Sequence, residues 1–269
     1  MGLDAIRIII FFGVFFLMLF VEWRVPRHPL VDSKPRRLGI NLSIIGMDIV
    51  VTRLILGTAA VGTAQFVQAR GWGLLNYLDL PLGIEFLVSV VFLDLMIYIQ
   101  HVVTHMIPLF WRFHVVHHSD LDLDVSSGLR FHPVEIVVSG LYKMGLILAL
   151  GPAPIAVMIF ESILNGMAQF THSNIALPER LDNILRWLIV TPDMHRIHHS
   201  VEGGETNSNY GFSLSVWDRL LGTYIPDAAK PQPEIVIGVN AYRKPGDVTF
   251  SSLLLMPFHK VPRNIPRQY

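Results

Sequence analysis

Five long apolar runs constrain the fold of this chain more than any other feature of its sequence. They cover about residues 6–21, 40–67, 82–99, 134–150 and 155–168. Inside a bilayer every backbone N–H and C=O group needs a partner, which an isolated apolar segment finds only as a helix. A span needs roughly 20 apolar residues, and four of the five runs meet this alone or with modest help. The sequence therefore predicts an all-α, multi-span membrane protein.

Composition agrees with a membrane location and excludes several functional classes. The chain is 52% hydrophobic and 16% charged, whereas a soluble domain has about 25% charged residues. Basic and acidic residues are equal at 21 each, and the absence of a basic patch leaves nucleic-acid binding without support. Because the chain has no cysteine, thiolate zinc sites, iron–sulfur clusters and cysteine nucleophiles are excluded. Any bound metal must be held by nitrogen and oxygen.

Basic residues in the short loops predict the orientation of the spans, because cytoplasmic loops are enriched in lysine and arginine. The loop after the first run carries five of them, namely Arg24, Arg27, Lys34, Arg36 and Arg37. The loop after the second run carries only Arg70, and the Gly-Pro-Ala-Pro hairpin at 151–154 carries none. The first loop is therefore predicted to be cytoplasmic. Because successive spans cross the membrane in opposite directions, the polar half from about residue 173 is also predicted to be cytoplasmic. This half is expected to form a helical cap.

Histidines form the second informative pattern. Ten of the 12 histidines lie between residues 101 and 199, and eight of them fall in three tight motifs. The motifs are His101-Val-Val-Thr-His105, His114-Val-Val-His117-His118 and His195-Arg-Ile-His198-His199. Since positions i, i+3 and i+4 of a helix share a face, each motif can aim two or three imidazoles at one point. Several neutral nitrogens within about 2 Å of one ion are what a metal site needs.

The number of histidines predicts two metal ions rather than one. His132 and His172 flank the fourth and fifth runs, so all ten clustered histidines are predicted on the cytoplasmic side. Ten are too many for a single ion with about four to six ligands. Sulfur-free, imidazole-rich coordination suits zinc, copper, iron or nickel, and the spacing alone does not choose among them.

Polar residues that share a helix face with the histidines are candidates for hydrogen bonds to the metal-ligating imidazoles. Four polar residues on the third run are separated by 4, 3 and 4 positions, and four on the fifth run by 4, 4 and 3 positions, so each set, or stripe, lies on one face of its helix. The stripes are Asp94, Tyr98, His101 and His105, and Glu161, Asn165, Gln169 and His172. Ligating histidines commonly donate their second ring N–H to a carboxylate or amide, a role predicted here for Asp94, Glu161 and Asn165. The alternative is that these residues join helices by hydrogen bonds. Glu135 is a similar candidate with weaker geometry.

Together these motifs resemble the fatty acid hydroxylase/sterol desaturase superfamily. The order HxxxH, HxxHH, HxxHH is reinforced by longer matching segments between residues 94 and 224. These are "FHVVHHSDLDLDVSSGLRFHPVE", "QFTHSN", "TPDMHRIHHS" and "NSNYGFSLSVWDRLLGTY". Within the superfamily the chain is most similar to a bacterial branch that resembles alkylglycerol monooxygenases.

The resemblance implies a single domain over 1–269, located in a bacterial inner membrane, with two iron ions and dioxygen as oxidant. It implies hydroxylation or desaturation of a lipid that is fatty acyl, ether-linked or sterol-like. The eight motif histidines would be ligands, His172 a further ligand, and His132 part of a His-Pro-acid element. Some fatty acid 2-hydroxylases carry a paired HxxxH near the last span, where this chain has Ala168 and Gln169. Their substrate is therefore not implied.

Reducing equivalents are expected from a separate protein or cofactor, such as a ferredoxin, a b-type cytochrome or a reduced pterin. The sequence has no Gly-rich dinucleotide fingerprint after a strand and no haem-attachment motif. Two other functions stay open at this point. A zinc-dependent membrane hydrolase would usually carry HExxH, which is absent. A metal transporter or metal-binding protein would place histidines along a path through the membrane.

Overall fold

A computed structural model of the protein describes residues 3–57, 59–78 and 80–259. Within these ranges the chain forms α-helices, short 3₁₀-helices and three isolated β-bridges, with no strand. The α-helices are α1 (Leu3–Arg24), α2 (Lys34–Leu56), α3 (Ala59–Arg70), α4 (Leu74–Leu78), α5 (Leu82–Met106), α6 (Pro108–His118), α7 (Pro133–Leu150), α8 (Pro154–His172), α9 (Glu179–Leu185), α10 (Pro192–His198), α11 (Gly203–Thr206), α12 (Val216–Leu220) and α13 (Phe250–Leu255). The 3₁₀-helices are Ser127–Leu129, Gln232–Glu234, Pro245–Asp247 and Met256–Phe258.

Four segments are long and apolar enough to cross a membrane. They are Ile6–Arg24, Lys34–Leu78, Leu82–Met106 and Pro133–Leu150. Large apolar side chains on them are exposed, as for Phe16 at 61% and Leu54 at 80%, which suits a lipid environment rather than water. The predicted all-α, multi-span architecture is confirmed. The helix α8 is not among the four, because polar residues interrupt its apolar surface.

The helices α7 and α8 form a hairpin whose turn lies at the end opposite the histidines. Gly151 closes α7 with φ +72°, a left-handed conformation that glycine adopts without strain. Pro154 then begins α8, where its missing N–H costs no hydrogen bond. The Asn76 side chain donates a hydrogen bond of 3.1 Å to the Gly151 carbonyl. The loop after α3 and the hairpin therefore meet at one end of the bundle.

The other end is covered by a cap built from residues 119–132 and 173–259. The cap is joined to the first span, because Arg27 N donates to Asn174 O at 3.0 Å. It is also joined to α6 through an apolar cluster in which Trp111 and Val115 pack with Leu253 and Met256. The cap thereby fixes the helix ends that carry the histidine motifs.

Four of the five basic residues that follow the first apolar run form ion pairs in the structure. Lys34 pairs with Glu22 at 2.7 Å, and Arg27 pairs with Asp193 at 2.7 Å. Arg36 pairs with Asp32 four residues before it. The charge count could not detect these pairs, because the carboxylates of Asp193 and Glu22 are brought to this loop only by the fold.

Arg37 is the most deeply buried of these basic residues, with 3% of its surface exposed. Its guanidinium donates to both carboxylate oxygens of Asp120, at 3.0 and 2.9 Å, and also to Asp124. Burial alone would raise the pKa of Asp120, but Arg37 and Arg130 hold it well below its usual value. This network fixes the chain that follows His118, since removing one partner of a buried ion pair leaves an uncompensated charge.

Candidate metal centre

All ten clustered histidines are buried, and nine of them lie close together at the capped end of the bundle. The HxxxH pair lies on the last turns of α5, and the first HxxHH motif lies on α6. Ile107 is extended and Pro108 begins α6, so the chain turns sharply between these two motifs. The second HxxHH motif lies on α10, where the Thr191 hydroxyl caps the helix by accepting from Met194 N. His172 is the last residue of α8.

The nine side chains form two groups, in each of which one ring nitrogen per residue lies within 4.8 Å of the others. The first group contains five histidines and the second contains four. The first group is His101, His105, His114, His118 and His198, and the second group is His117, His172, His195 and His199. The sequence prediction of two metal ions agrees with two groups.

Each HxxHH motif divides between the groups, so that two of its imidazoles aim at one point and the third aims at the other. On α6, His114 and His118 enter the first group and His117 enters the second. On α10 the division is reversed, with His198 in the first group. Successive helix residues are rotated by about 100°, so adjacent histidines cannot face one point, whereas residues i and i+4 differ by only about 40°. The i, i+4 pair therefore stays together.

Several Nδ1 atoms bond to acceptors outside the groups. His101 Nδ1 lies 2.7 Å from Tyr210 O, and His198 Nδ1 lies 2.7 Å from Ser208 O. Since a carbonyl oxygen only accepts, these Nδ1 atoms carry the proton and Nε2 keeps its lone pair. His172 and His117 are held in the same way by the carbonyls of Ala168 and Arg130. In His114 the Nδ1 partner is the Glu135 carboxylate, at 2.6 Å.

The inward Nε2 atoms face each other without a proton between them. His101 Nε2 lies 3.2 Å from His114 Nε2 in the first group, and His172 Nε2 lies 3.0 Å from His117 Nε2 in the second. Both atoms of each pair are acceptors, so a cation between them would remove their repulsion. Two nitrogens about 2.1 Å from one ion at a right angle are about 3.0 Å apart, which agrees with the observed distances.

Other ring nitrogens have no hydrogen-bond partner among the described residues. Both nitrogens of His105 and both of His118 are of this kind, as is His198 Nε2. A buried polar atom without a partner costs about 1–3 kcal/mol. Metal coordination would satisfy these atoms, and the donor set of imidazoles suits iron, zinc, copper or nickel. The residues present therefore fit a dimetal centre.

Burial keeps histidines of both groups neutral. Desolvation lowers the pKa of His198 to about 3. Burial and the neighbouring imidazoles also lower the pKa of His118 and His199 well below the usual value. Metal coordination requires the neutral form of imidazole, so these side chains are ready to bind an ion at neutral pH.

His132 lies outside both groups. It is the N-cap of α7, where its Nδ1 accepts from Val134 N at 3.1 Å. Its Nε2 lies 3.3 Å from Leu254 O. The position of His132 therefore supports a structural role in place of the predicted metal ligation, because a cap must point along the helix axis.

Asp94 accepts hydrogen bonds from residues of the cap. Its Oδ2 accepts from Trp217 Nε1 at 2.8 Å and from Leu214 N at 3.3 Å. Its Oδ1 has no partner in the described part of the chain. These contacts join α5 to the cap segment around α12, so they favour the helix-joining alternative over hydrogen bonding to an imidazole.

Glu161 and Asn165 also bond to residues other than the histidines. Glu161 accepts from Arg7 at 2.6 Å and from Lys143 at 3.0 Å, and Asn165 donates to the Glu161 carbonyl. The carboxylate that does contact a histidine is Glu135, which the sequence ranked lower. Its signal was its place in the first turn of α7, directly after His132-Pro133.

A cavity of about 730 Å³ leads from the first histidine group into the membrane-spanning bundle. His101 and His114 line one end of it. Apolar side chains such as Ile97, Leu164 and Phe212 form part of its wall. A chamber of this size and composition can hold a lipid chain beside the histidines.

Comparison with known proteins agrees with this geometry. The family described as "Fatty acid hydroxylase" matches residues 86–223, just over half of the chain. The match includes the three histidine motifs and His172. No solved structure matches significantly.

Curated relatives are lipid-modifying enzymes by name. Alkylglycerol monooxygenase of Xenopus tropicalis is 25% identical over 224 residues, covering 82% of this chain and 47% of the relative. Ornithine lipid hydroxylase OlsE of Rhizobium tropici is 32% identical over 145 residues, covering 54% of this chain and 43% of the relative. Sphinganine C4-monooxygenase 1 of Arabidopsis thaliana is 25% identical over 207 residues, covering 74% and 76%.

The chain spans about half the length of the first two of these relatives. Its resemblance to the fatty acid hydroxylase/sterol desaturase superfamily, first visible in the histidine motifs, is confirmed by the family match. Buried histidine groups at the end of an all-α membrane bundle are what that resemblance implied. The chain belongs to the fatty acid hydroxylase family.

Proposed function

We propose that this chain is a membrane-bound, non-haem di-iron oxygenase that hydroxylates a lipid with dioxygen. The observation that carries the proposal is the junction between the first histidine group and the cavity. His101 and His114 belong to the group and also line the cavity. A lipid chain lying in the cavity would have one of its carbons beside the metal centre.

The proposed ligands are the nine histidines of the two groups, with His132 left out. Oxidising an unactivated C–H bond requires a metal that changes its oxidation state, which excludes zinc. Two iron ions would supply the electrons for dioxygen cleavage and hold the oxidant next to the substrate. The chemical demand and the family favour iron among the metals that imidazole binds.

The protein's own contribution is orientation and exclusion of water. The carbonyls of Tyr210 and Ser208 fix the rings of His101 and His198 so that their Nε2 lone pairs face the centre. Glu135 orients His114 in the same way and increases its basicity as a ligand. The apolar cavity wall would keep water from a reactive oxidant.

Hydroxylation is proposed over desaturation because the relatives cited above are named as monooxygenases and hydroxylases. Desaturation would use the same ligands and differ only in how the substrate is placed. The substrate is proposed to be a fatty acyl, ether-linked or sterol-like lipid that enters from the bilayer.

The proposed function also requires a membrane, dioxygen and a source of electrons. The whole chain is proposed to act as one domain in a bacterial inner membrane, with the centre on the cytoplasmic side. Dioxygen is the co-substrate. A separate electron donor, such as a ferredoxin, a b-type cytochrome or a reduced pterin, would reduce the centre from that side.

The test combines lipid profiling with metal analysis. Lipids of cells that produce the chain are compared with lipids of cells that produce the His198→Ala variant. We expect a lipid whose mass increases by one oxygen atom, only with the unaltered chain and only in air. The purified protein is expected to contain about two iron ions per chain.

Other outcomes would reject or change the proposal. A loss of two hydrogens from the lipid would indicate desaturation. Zinc in the centre, with lipid cleavage that does not need oxygen, would indicate a hydrolase. Metal movement across sealed vesicles would indicate a transporter, although nine of the histidines lie at one end of the bundle and do not form a path.

A further inference from the structure

An unpaired carboxylate lines the same cavity as two histidines of the first group. Asp48 lies on α2, has 7% of its surface exposed and lines the cavity. Neither of its carboxylate oxygens has a hydrogen-bond partner in the described part of the chain. An ionisable residue at membrane depth is costly, and such residues usually have a functional role.

Glu135 extends this feature toward the histidines. Its Oε1 accepts from His114 Nδ1, whereas its Oε2 is buried without a partner. Asp48 and Glu135 are close enough for their carboxylates to interact electrostatically. Three acceptor oxygens without a partner therefore line the cavity that His114 also lines, and the described lysines and arginines form no salt bridge with either residue.

The wall of the cavity on α8 differs, because its charges are satisfied. Glu161 binds Arg7 and Lys143 through its two carboxylate oxygens. The cavity therefore has a neutralised ion cluster on α8 and unsatisfied acceptor oxygens on α2 and α7. A ligand that brings hydrogen-bond donors would be stabilised at Asp48 and Glu135 and not at Glu161.

We propose that Asp48, together with Oε2 of Glu135, binds a hydrogen-bond-donating polar group of the lipid, either a hydroxyl or an ammonium. The proposal rests on the proposed function and names the substrate class of the same cavity. A headgroup without a hydrogen-bond donor would leave these acceptor oxygens unsatisfied and is disfavoured. The donor group next to His114 would hold a nearby carbon beside the first histidine group.

The experiment measures lipid binding to the metal-loaded protein in nanodiscs without oxygen, so that no turnover occurs. The probes share one chain length: hexadecylglycerol ether, its dimethylated analogue, hexadecylamine and hexadecyl phosphate. The unaltered protein should bind the glycerol ether and the amine at least about tenfold more tightly than the other two, as expected when buried acceptor oxygens gain a donor.

Two variants separate charge from hydrogen bonding. Asp48→Asn should weaken binding of the amine about tenfold and the glycerol ether less, because one acceptor oxygen remains. Asp48→Leu should remove the preference for both. Glu85→Gln is the matched control, since Glu85 lies on a span outside the cavity lining and accepts from Ala153 N. Metal content and thermal unfolding verify that each variant is folded.

Equal binding of all four probes, or an unchanged preference in the folded Asp48→Leu variant, would overturn the headgroup site. A preference for hexadecyl phosphate would do the same. Failure of the proposed function has a different signature: donor lipids would bind preferentially and respond to Asp48→Leu, yet no oxygenated lipid would form in air.

Discussion

The two histidine groups are alike in composition and different in surroundings. Each combines the i, i+4 pair of one HxxHH motif with the remaining histidine of the other. The first group adds the α5 pair and meets the cavity through His101 and His114. The second group adds His172, and none of its members lines the cavity. Under the proposed function, a lipid in the cavity would approach the first group and not the second.

The shared motifs also couple the groups. The ring of His118, in the first group, stacks on that of His199, in the second, at 4.3 Å and 18°. Each motif helix therefore supplies both halves, and moving α6 or α10 would disturb both. The predictions below separate what the halves share from what distinguishes them.

The largest effect is expected when one histidine is removed from either group. His118→Ala and His199→Ala should each abolish activity and release metal, because each group then loses a nitrogen donor. Metal content by elemental analysis and lipid oxidation are the measurements. His259→Ala, a change at a histidine outside both groups, is the control. Normal activity with two bound ions in His199→Ala would show that the second group is not a metal site.

Filling the cavity should affect substrate access to the first group without affecting metal binding in either group. Ser139 lines the cavity and donates a hydrogen bond to Gln100. Ser139→Phe is expected to lower lipid oxidation by at least about tenfold while metal content stays the same, since the added ring occupies substrate space. Binding of a lipid probe should fall in parallel. Unchanged oxidation would mean that the substrate reaches the centre by another route.

A smaller effect is expected from the carboxylate partners. Glu135→Ala should lower metal affinity or activity about 10–100-fold, because His114 loses the partner of its Nδ1. Asp94→Ala should leave metal affinity unchanged and lower thermal stability, since Asp94 bonds Trp217 and Leu214 of the cap. Metal titration and thermal unfolding measure the two effects. A loss of metal affinity in Asp94→Ala, with none in Glu135→Ala, would instead indicate that Asp94 is the residue that orients an imidazole.

The smallest effect is expected at His132. Loss of its N-cap bond to Val134 in His132→Ala should cost about 1 kcal/mol of stability. Metal content and lipid oxidation should remain normal, because His132 belongs to neither group. A variant that folds but has lost one ion would add His132 to the ligand set.

Sequence alone determined much of the site. The three motifs identified all eight of their histidines, and His172 followed from its place at the end of the fifth run. Helical periodicity also predicted the all-α bundle, because short-range rules govern both apolar runs and i, i+4 pairs. The same rules should have separated His117 from His118, since adjacent helix residues diverge by about 100°.

The sequence predicted the partners of charged residues least well, because local spacing carries no information about a partner that is distant along the chain. Arg37 counted as a loop charge, yet it is buried against Asp120, 83 residues later. Asp94 shared a stripe with His101 but bonds Trp217, 123 residues away. Glu135 had the weaker local pattern and yet contacts His114.

What the sequence determined by itself is therefore the chemistry of the donors and the helices that carry them. Only the tertiary structure decided how nine imidazoles divide into two groups and which group meets the cavity. It also decided that Asp48, in the cavity that His114 lines, has no hydrogen-bond partner among the described residues. The physical reason is that periodicity fixes the face of a helix, whereas packing between helices fixes what that face meets.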